Sequence, residues 1–308
     1  MVLYKIYSQE HRIRYFAHPC STAIVFQIIC LILTFLPPLF TSYFTSGFYY
    51  KELTYHEQPN VVFLRRYNVI IEGTTTTPIF SSSDPLLNSY FTDYYLPSSL
   101  STSIPRDVNN DGVIDQQTLS IEQSIDSALT LKKNLELWLF FRYTLNRYPT
   151  ADMETLGRIL LSAPSAISNY KSVTIFGQLR FHQRDPILTY QNISTLQGSV
   201  INYTNIQATP SLNRIYNDYL SRNYFTSFET EYVQWSPSSS PPSSALTIKV
   251  VVNVGSQAIR YVPNFWKEFR WTWIQYVTSL LPFYYLANKI KEFVFSNKLV
   301  RTVVKQSS

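Results

Sequence analysis

The sequence predicts a membrane protein in which two transmembrane α-helices flank a mainly-β, β-sandwich-like extracellular domain with one short helix. Two apolar stretches without charged side chains, one near each end of the chain, indicate the two helices. The residues between them are rich in Tyr, Phe, Val, Ile and Thr and are poor in Ala and Gly. That composition is typical of strands, so we expect a strand-built domain between the spans.

The first span lies near the N-terminus and is assigned to residues 21–44. Residues 19–50 contain no Lys, Arg, Asp or Glu, and their most apolar part is long enough to cross a bilayer. Pro37 and Pro38 are expected to kink or end the helix, because a proline lacks the amide that a helix interior requires. A secretory signal peptide is the alternative. The apolar part is too long for one and no small-residue cleavage site follows it, so we interpret it as a retained signal anchor.

The second span is assigned to residues 266–288, of which 271–288 carry no charge. Eighteen helical residues reach about 27 Å, close to the roughly 30 Å hydrocarbon core of a bilayer. Aromatic residues that prefer the headgroup boundary lie at both edges: Trp266, Trp271, Trp273, Tyr284 and Tyr285. A buried helix of a soluble protein is the alternative.

The distribution of charge predicts the orientation. Residues 1–20 have a net charge of +2 and residues 289–308 of +4, so the chain total of +6 leaves residues 21–288 balanced at zero. Excess positive charge on two short tails is typical of cytoplasmic segments. We therefore expect two cytoplasmic tails, 1–20 and 289–308, and an extracellular or luminal domain at 45–265. The same charges favour anionic lipid rather than nucleic acid as the partner of the tails.

The domain between the spans reads as a series of strands and one helix. Residues 211–223 have apolar side chains at helical spacing behind a Ser at the cap position, and residues 153–161 suit either a strand or a short helix. A long loop is expected at 73–103, and a flexible one at 236–244. Strands are predicted at 60–72, 118–125, 130–146, 171–182, 199–208, 225–235 and 245–262.

The cysteines exclude a disulfide in this domain. Cys20 and Cys30 lie at the edge of the first span and inside it. The domain must therefore be stable through packing alone. Cys20, beside the cytoplasmic boundary, fits either an inert thiol or a palmitoylation site.

An acidic loop at residues 107–115 is the candidate metal site. Its D-x-N-x-D-G-x-x-D pattern places alternate oxygen ligands around a Gly, as in loops that wrap calcium, and the segment after it resembles the calcium loops built into β-hairpins. Thr118 replaces the bidentate Glu of an EF-hand, so an EF-hand is not expected. The alternative is a bare Asn-Asp-Gly turn. The candidate calcium ligands are Asp107, Asn109, Asp111, the backbone carbonyl of Val113, and Asp115.

Two glycosylation sequons begin at Asn192 and Asn202, in the segment that the charges place outside the cell. The sequence shows no His/Cys metal cluster, P-loop, G-x-S-x-G motif or pair of carboxylates at helical spacing. It therefore predicts no catalytic residues.

The chain resembles the transmembrane protein 231 family along its whole length. The motifs that carry the resemblance are M-x-L-Y at 1–4, a Cys before an apolar span ending in Leu36-Pro37-Pro38, Glu57-Gln58-Pro59, the acidic loop, the sequon at Asn192, and above all P-x-F-W at 263–266, W-x-Q-Y-V at 273–277 and F-V-F at 293–295. Residues 74–103 look divergent.

The resemblance implies a non-enzymatic scaffold of the ciliary transition-zone membrane, in the complex that contains B9-domain and tectonic proteins. It implies a part in cilium assembly and in the diffusion barrier between plasma and ciliary membranes, with other transition-zone membrane proteins as partners. Two other classes stay open. One is an accessory glycoprotein subunit of a membrane transporter, like those of lipid flippases, although those have ectodomains with disulfides. The other is a calcium-dependent ectoenzyme, which would need an acid–base pair beside the acidic loop.

Overall fold

The computed structural model of the chain describes residues 13–17, 21–44, 52–73, 78–90, 96–125, 132–189, 199–201, 211–240 and 243–306. These form two compact units, one made of 1–51 with 263–308 and the other of 52–262. The elements are β1 (Ile13–Phe16), α1 (Thr22–Phe44), β2 (Leu53–Glu57), β3 (Asn60–Gly73), β4 (Ile79–Ser82), α2 (Pro85–Tyr90), β5 (Ser98–Arg106), β6 (Gln116–Ser124), β7 (Lys132–Leu145), β8 (Ala151–Ser162), β9 (Tyr170–Gln183), β10 (Ile187–Leu188), α3 (Leu212–Leu220), β11 (Tyr224–Pro237), β12 (Ala245–Asn253), β13 (Gln257–Val262), α4 (Phe265–Ser296) and β14 (Val303–Gln306).

The first unit is a pair of helices with a small ribbon. The 23-residue α1 packs against the 32-residue α4, and β1 pairs antiparallel with β14. Among the described residues, α1 is the one helix that is long and apolar enough to cross a membrane. The helix continues through Pro37 and Pro38 to Phe44, so of the two effects expected of these prolines, ending the helix is excluded and a kink stays a prediction.

The predicted second span is helical throughout but does not qualify as a candidate span. Residues 266–288 lie within α4, which is long enough to cross a membrane but is less apolar than a typical membrane span. Its many Trp, Tyr, Thr, Ser and Gln residues account for the shortfall. The described structure therefore has one candidate span instead of the two predicted.

The second unit is mainly β, and two of its three sheets share one hydrophobic core. These two sheets have the strand orders β11-β9-β12-β6-β5 and β4-β3-β7-β8. The main core draws on both sheets, with Leu135, Leu137 and Leu139 of β7 together with Ile248 and Val250 of β12. The period-two pattern predicted for 130–146 is thus confirmed, because alternate residues of β7 lie in one core.

The outer face of the four-stranded sheet is buried as well. Trp138 and Phe140 of β7 join Leu87 of α2 with Ile215 and Tyr219 of α3 in a second core. Seven consecutive residues of β7, 135–141, are buried for this reason. The helix predicted at 211–223 is confirmed at Leu212–Leu220, and it covers this face.

A third sheet has the order β10-β13-β2. The prediction of a single strand at 245–262 was wrong. β12 ends at Asn253, and after residues 254–256 the chain continues as β13 in this other sheet. The strand at Leu53–Glu57 was not predicted.

Three further predictions need correction or resolution. The loop predicted at 73–103 contains β4, α2 and the first part of β5, so the domain has more than one short helix. Residues 153–161, which suited either structure, lie in β8. For the strand predicted at 199–208, residues 199–201 are not in a strand and the rest lie outside the described residues.

Candidate functional site

The acidic loop connects β5 to β6, which pair as an antiparallel hairpin. The hairpin setting expected from the sequence is therefore observed. Asn110 and Gly112 adopt positive φ angles of 57° and 85°. Asn and Gly tolerate this left-handed conformation, which both a calcium loop and a bare turn require.

Two carboxylates at the ends of the loop fix its backbone. Asp107 accepts N–H groups from Asn110 at 2.7 Å and from Gly112 at 2.9 Å. Asp115 accepts the N–H of Val108 at 2.7 Å through Oδ2. The loop is therefore shaped by its own side chains.

Asp115 also receives a bond from outside the loop. The Nε2 of Gln58 donates to Asp115 Oδ1 over 2.7 Å. This bond, followed by the N–H of Val108, lowers the pKa of the Asp115 carboxyl below its usual value. Asp115 is thereby held as an anion and is tied to the segment before β3.

The centre of the loop is arranged by Asn109 and Asp111. Asn109 Nδ2 donates to Asp111 Oδ2 at 3.0 Å, and the N–H of Val113 donates to Asp111 Oδ1 at 2.8 Å. Within the described ranges, no three His, Cys, Asp or Glu side chains converge to hold a metal ion. The loop still offers the oxygen donors that calcium prefers, and a carboxylate oxygen that accepts one N–H keeps a second lone pair. Calcium binding here stays a prediction.

We expect 10 mM calcium to raise the unfolding temperature of the full chain by about 3–6 °C, as for a weak extracellular site with a Kd near 1 mM. The shift should be measured by thermal unfolding in detergent, with 10 mM magnesium as the ionic-strength control. Asp111→Ala is expected to abolish it. No shift, or an equal shift in Asp111→Ala, would identify the loop as a bare turn.

The sequons lie outside the described residues, because Asn192 and Asn202 fall in 190–198 and 202–210. Cys20 is outside them too. Cys30 is a buried free cysteine in α1, and His182 bonds Ser227 Oγ at 2.6 Å while it stacks on Phe225. These contacts and this burial are typical of residues that stabilise the fold.

The helix pair offers a second candidate site, formed by small polar side chains. Ser42 Oγ of α1 lies 3.2 Å from Ser279 Oγ of α4, and the Ser279 hydroxyl also lies 3.4 Å from the carbonyl oxygen of Pro38. Cys30, Thr34, Pro38 and Ser42 recur every four residues and are all buried. Small side chains at this spacing let two helices approach closely, as is typical of helix contacts inside membranes.

Most of the remaining α1 surface is uncovered and apolar. Val25 and Ile28 are more than half exposed, and Tyr43 and Phe44 more so. The exposed large hydrophobic residues of α1 are Val25, Ile28, Ile29, Leu31, Ile32, Leu33, Phe35, Leu36, Leu39, Phe40, Tyr43 and Phe44. A surface of this kind fits lipid or further helices rather than water.

The first turns of α4 carry a row of exposed aromatic rings. The Phe265 and Phe269 rings stack with centroids 5.8 Å apart, and Phe269 continues to Trp273 at 6.4 Å. Trp266 is 71% exposed. This is the aromatic edge predicted for the second span, although α4 starts one residue before 266.

Sequence reasoning missed a polar group at the rim of the second core. Glu136 accepts the Trp138 Nε1–H at 2.6 Å and forms an ion pair with Arg158, whose guanidinium lies 4.3 Å from the centre of the Tyr216 ring. The available signal was Glu136 itself, since a carboxylate within an apolar run needs partners when it is buried.

Comparison with known proteins gives a full-length match. A family model described as Transmembrane protein 231 matches residues 1–304. Transmembrane protein 231 of Xenopus tropicalis is 32% identical over 307 residues, which cover 98% of this chain and 96% of that protein. The Homo sapiens protein of the same name is 29% identical over 306 residues, with 98% and 95% covered. The resemblance noted in the sequence is confirmed at the level of the family.

Proposed function

We propose that this chain, which belongs to the transmembrane protein 231 family, is a non-enzymatic structural component of the ciliary transition-zone membrane complex. In this role it contributes to cilium assembly and to the diffusion barrier between plasma and ciliary membranes. Its proposed partners are other transition-zone membrane proteins, including B9-domain and tectonic proteins.

The proposed topology is a membrane hairpin with both termini in the cytoplasm. In it, α1 and the 266–288 part of α4 both cross the bilayer, and the unit of 52–262 lies outside. Three observations support it: α1 is long and apolar enough to span, α4 packs against α1 along small residues, and the excess positive charge lies on the two tails. The 32 residues of α4 would reach about 48 Å, which exceeds the hydrocarbon thickness.

The uncovered apolar surface of α1 is the observation that carries the scaffold role. One face of α1 is occupied by α4, whereas twelve large hydrophobic residues elsewhere on α1 are exposed. In a bilayer such a surface can contact further helices, which is what a component of a multi-protein membrane complex requires.

Imaging a tagged copy in ciliated cells tests the proposal. We expect enrichment at the base of the cilium. Ser42→Leu, which places a larger side chain against Ser279, is expected to weaken the helix pair and reduce that enrichment severalfold. Thr41→Leu is the matched control, because Thr41 is a small polar residue on the same helix, is exposed, and is not one of the twelve exposed hydrophobic residues.

Uniform plasma-membrane or Golgi signal for the unaltered chain would contradict the scaffold role and favour the accessory subunit of a transporter. Equal enrichment of Ser42→Leu and the unaltered chain would contradict the importance of the helix pair.

A further inference from the structure

The described parts of the two tails pair with each other. β1 and β14 pair antiparallel, and the register places Arg14 opposite Lys305 and Tyr15 opposite Val304. The sequence predicts two separate basic tails, with net charges of +2 and +4. Pairing of β1 with β14 therefore collects positive charge from both ends of the chain in one place.

Few acidic residues offset these positive charges. Lys298 and Arg301, which lie between α4 and β14, are exposed. Of the two acidic residues of the tails, Glu292 pairs with Lys289 at 2.8 Å, and Glu10 lies outside the described residues.

A cavity of about 360 Å³ lies beside the ribbon. Its lining includes Tyr15, Ala23 and Gln27 from the N-terminal side and Phe295 and Thr302 from the C-terminal side. The rings of Tyr15 and Phe295 have centroids 5.4 Å apart, and the ring of Phe26 meets Phe295 edge-on at 5.9 Å. The cavity thus combines aromatic walls with polar side chains.

The position of the cavity identifies the depth at which a ligand would bind. Ala23 and Gln27 belong to the first two turns of α1, which is the candidate span. The end of a membrane-crossing helix lies at the boundary between hydrocarbon and headgroups. An aromatic cavity at this depth, next to basic residues, suits a molecule with an apolar part and an anionic part.

We propose that this end of the helix pair is a binding site for an anionic phospholipid of the cytoplasmic leaflet. The glycerol and upper acyl region would occupy the cavity between Tyr15 and Phe295. The phosphate-bearing headgroup would lie with Lys298 and Arg301, which are exposed and lie next to the lining residues Phe295 and Thr302 in the chain. The inference rests on the membrane topology of the proposed function and is independent of the ciliary location.

The test uses the full chain in nanodiscs of equimolar phosphatidylcholine and phosphatidylserine. After extraction into detergent, native mass spectrometry counts the lipids that stay bound. We expect phosphatidylserine to be retained severalfold over phosphatidylcholine. Lys298→Gln and Arg301→Gln should each lower that preference about fivefold, as one basic residue near an anionic surface contributes.

Matched controls separate the site from general attraction to charge. Lys171→Gln and Lys249→Gln neutralise exposed residues of the 52–262 unit and should leave the preference unchanged. Gln27→Trp fills the mouth of the cavity from an exposed position and should lower retention while every basic residue is kept.

Equal retention of the two lipids would overturn the proposal, and so would unchanged retention in Gln27→Trp or in both basic variants. None of these results would alter transition-zone enrichment of the tagged chain. Failure of the lipid site is therefore distinguishable from failure of the scaffold role.

Discussion

Replacing Tyr219 by Phe is expected to destabilise the unit of 52–262 by about 2–5 kcal/mol, because one phenol oxygen serves two buried strands. Tyr219 lies on α3 and is 1% exposed. Its oxygen accepts the N–H of Leu156 at 3.0 Å and the N–H of Thr226 at 2.7 Å. Its own proton is directed at the carbonyl oxygen of Thr226, 3.0 Å away.

These bonds join two sheets. Leu156 lies on β8, the edge of the four-stranded sheet, and Thr226 lies on β11, the edge of the five-stranded sheet. Burial raises the pKa of Tyr219, so the hydroxyl keeps the proton that it donates. Phenylalanine would leave two N–H groups without a partner where water does not reach, and each such group costs about 1–3 kcal/mol.

Thermal unfolding of the purified chain measures this effect. For a unit of this size the loss corresponds to a fall of about 4–20 °C in the unfolding temperature. Tyr232→Phe is the matched control, because Tyr232 lies on β11 and is 57% exposed. Equal, small shifts in both variants would show that the Tyr219 hydroxyl does not connect the sheets.

Local patterns explain which elements could be predicted from the sequence. The alternation of Leu135, Leu137 and Leu139 identified β7, and the spacing of Ile215 and Tyr219 identified α3. Both signals depend on neighbours along the chain, and burial of one face is enough to produce them.

Elements that depend on distant partners were not predictable in the same way. β1 and β14 are separated by almost the whole chain, and neither has a sequence pattern that indicates which strand it pairs with. Residues 98–103, the first part of β5, are polar because β5 is an edge strand with much of its length exposed, so they resemble a loop. At residues 254–256 the chain passes from one sheet to another, although the apolar residues on either side read as one continuous strand.

The candidate sites show the same limit. The spacing from Asp107 to Asp115 predicted a loop in a hairpin, because the bonds by which Asp107 and Asp115 accept N–H groups of the loop are local. Two bonds to Asp115 come from distant residues: Gln58, 57 residues away in the sequence, donates to its carboxylate, and the N–H of Val254 donates to its carbonyl oxygen at 2.8 Å. Ser42 and Ser279 are 237 residues apart in the sequence. The sequence signal for their contact is the recurrence of small residues at every fourth position of an apolar helix.

Gly177→Ala is expected to destabilise the same unit by about 3 kcal/mol, because β9 and β11 leave no room for a side chain there. A Cβ at this position would lie 2.3 Å from the carbonyl oxygen of Glu229 and 2.6 Å from the ring of Phe228. The first of these atoms is backbone, so relief requires β11 to move away from β9. The pairing is already irregular between Thr230 and Tyr232, directly beyond this contact.

Gly255→Ala is the control that separates crowding from a general effect of removing glycine. A Cβ at Gly255 would have nothing within 4 Å, and its backbone is outside the left-handed region. Alanine there restricts the unfolded chain without strain, so a gain of about 0.4–1 kcal/mol is expected. The two substitutions should shift the unfolding temperature in opposite directions. A shift of the same sign and size would mean that β11 does not cross Gly177 as closely as described, and the fit between the two strands would then have to be revised.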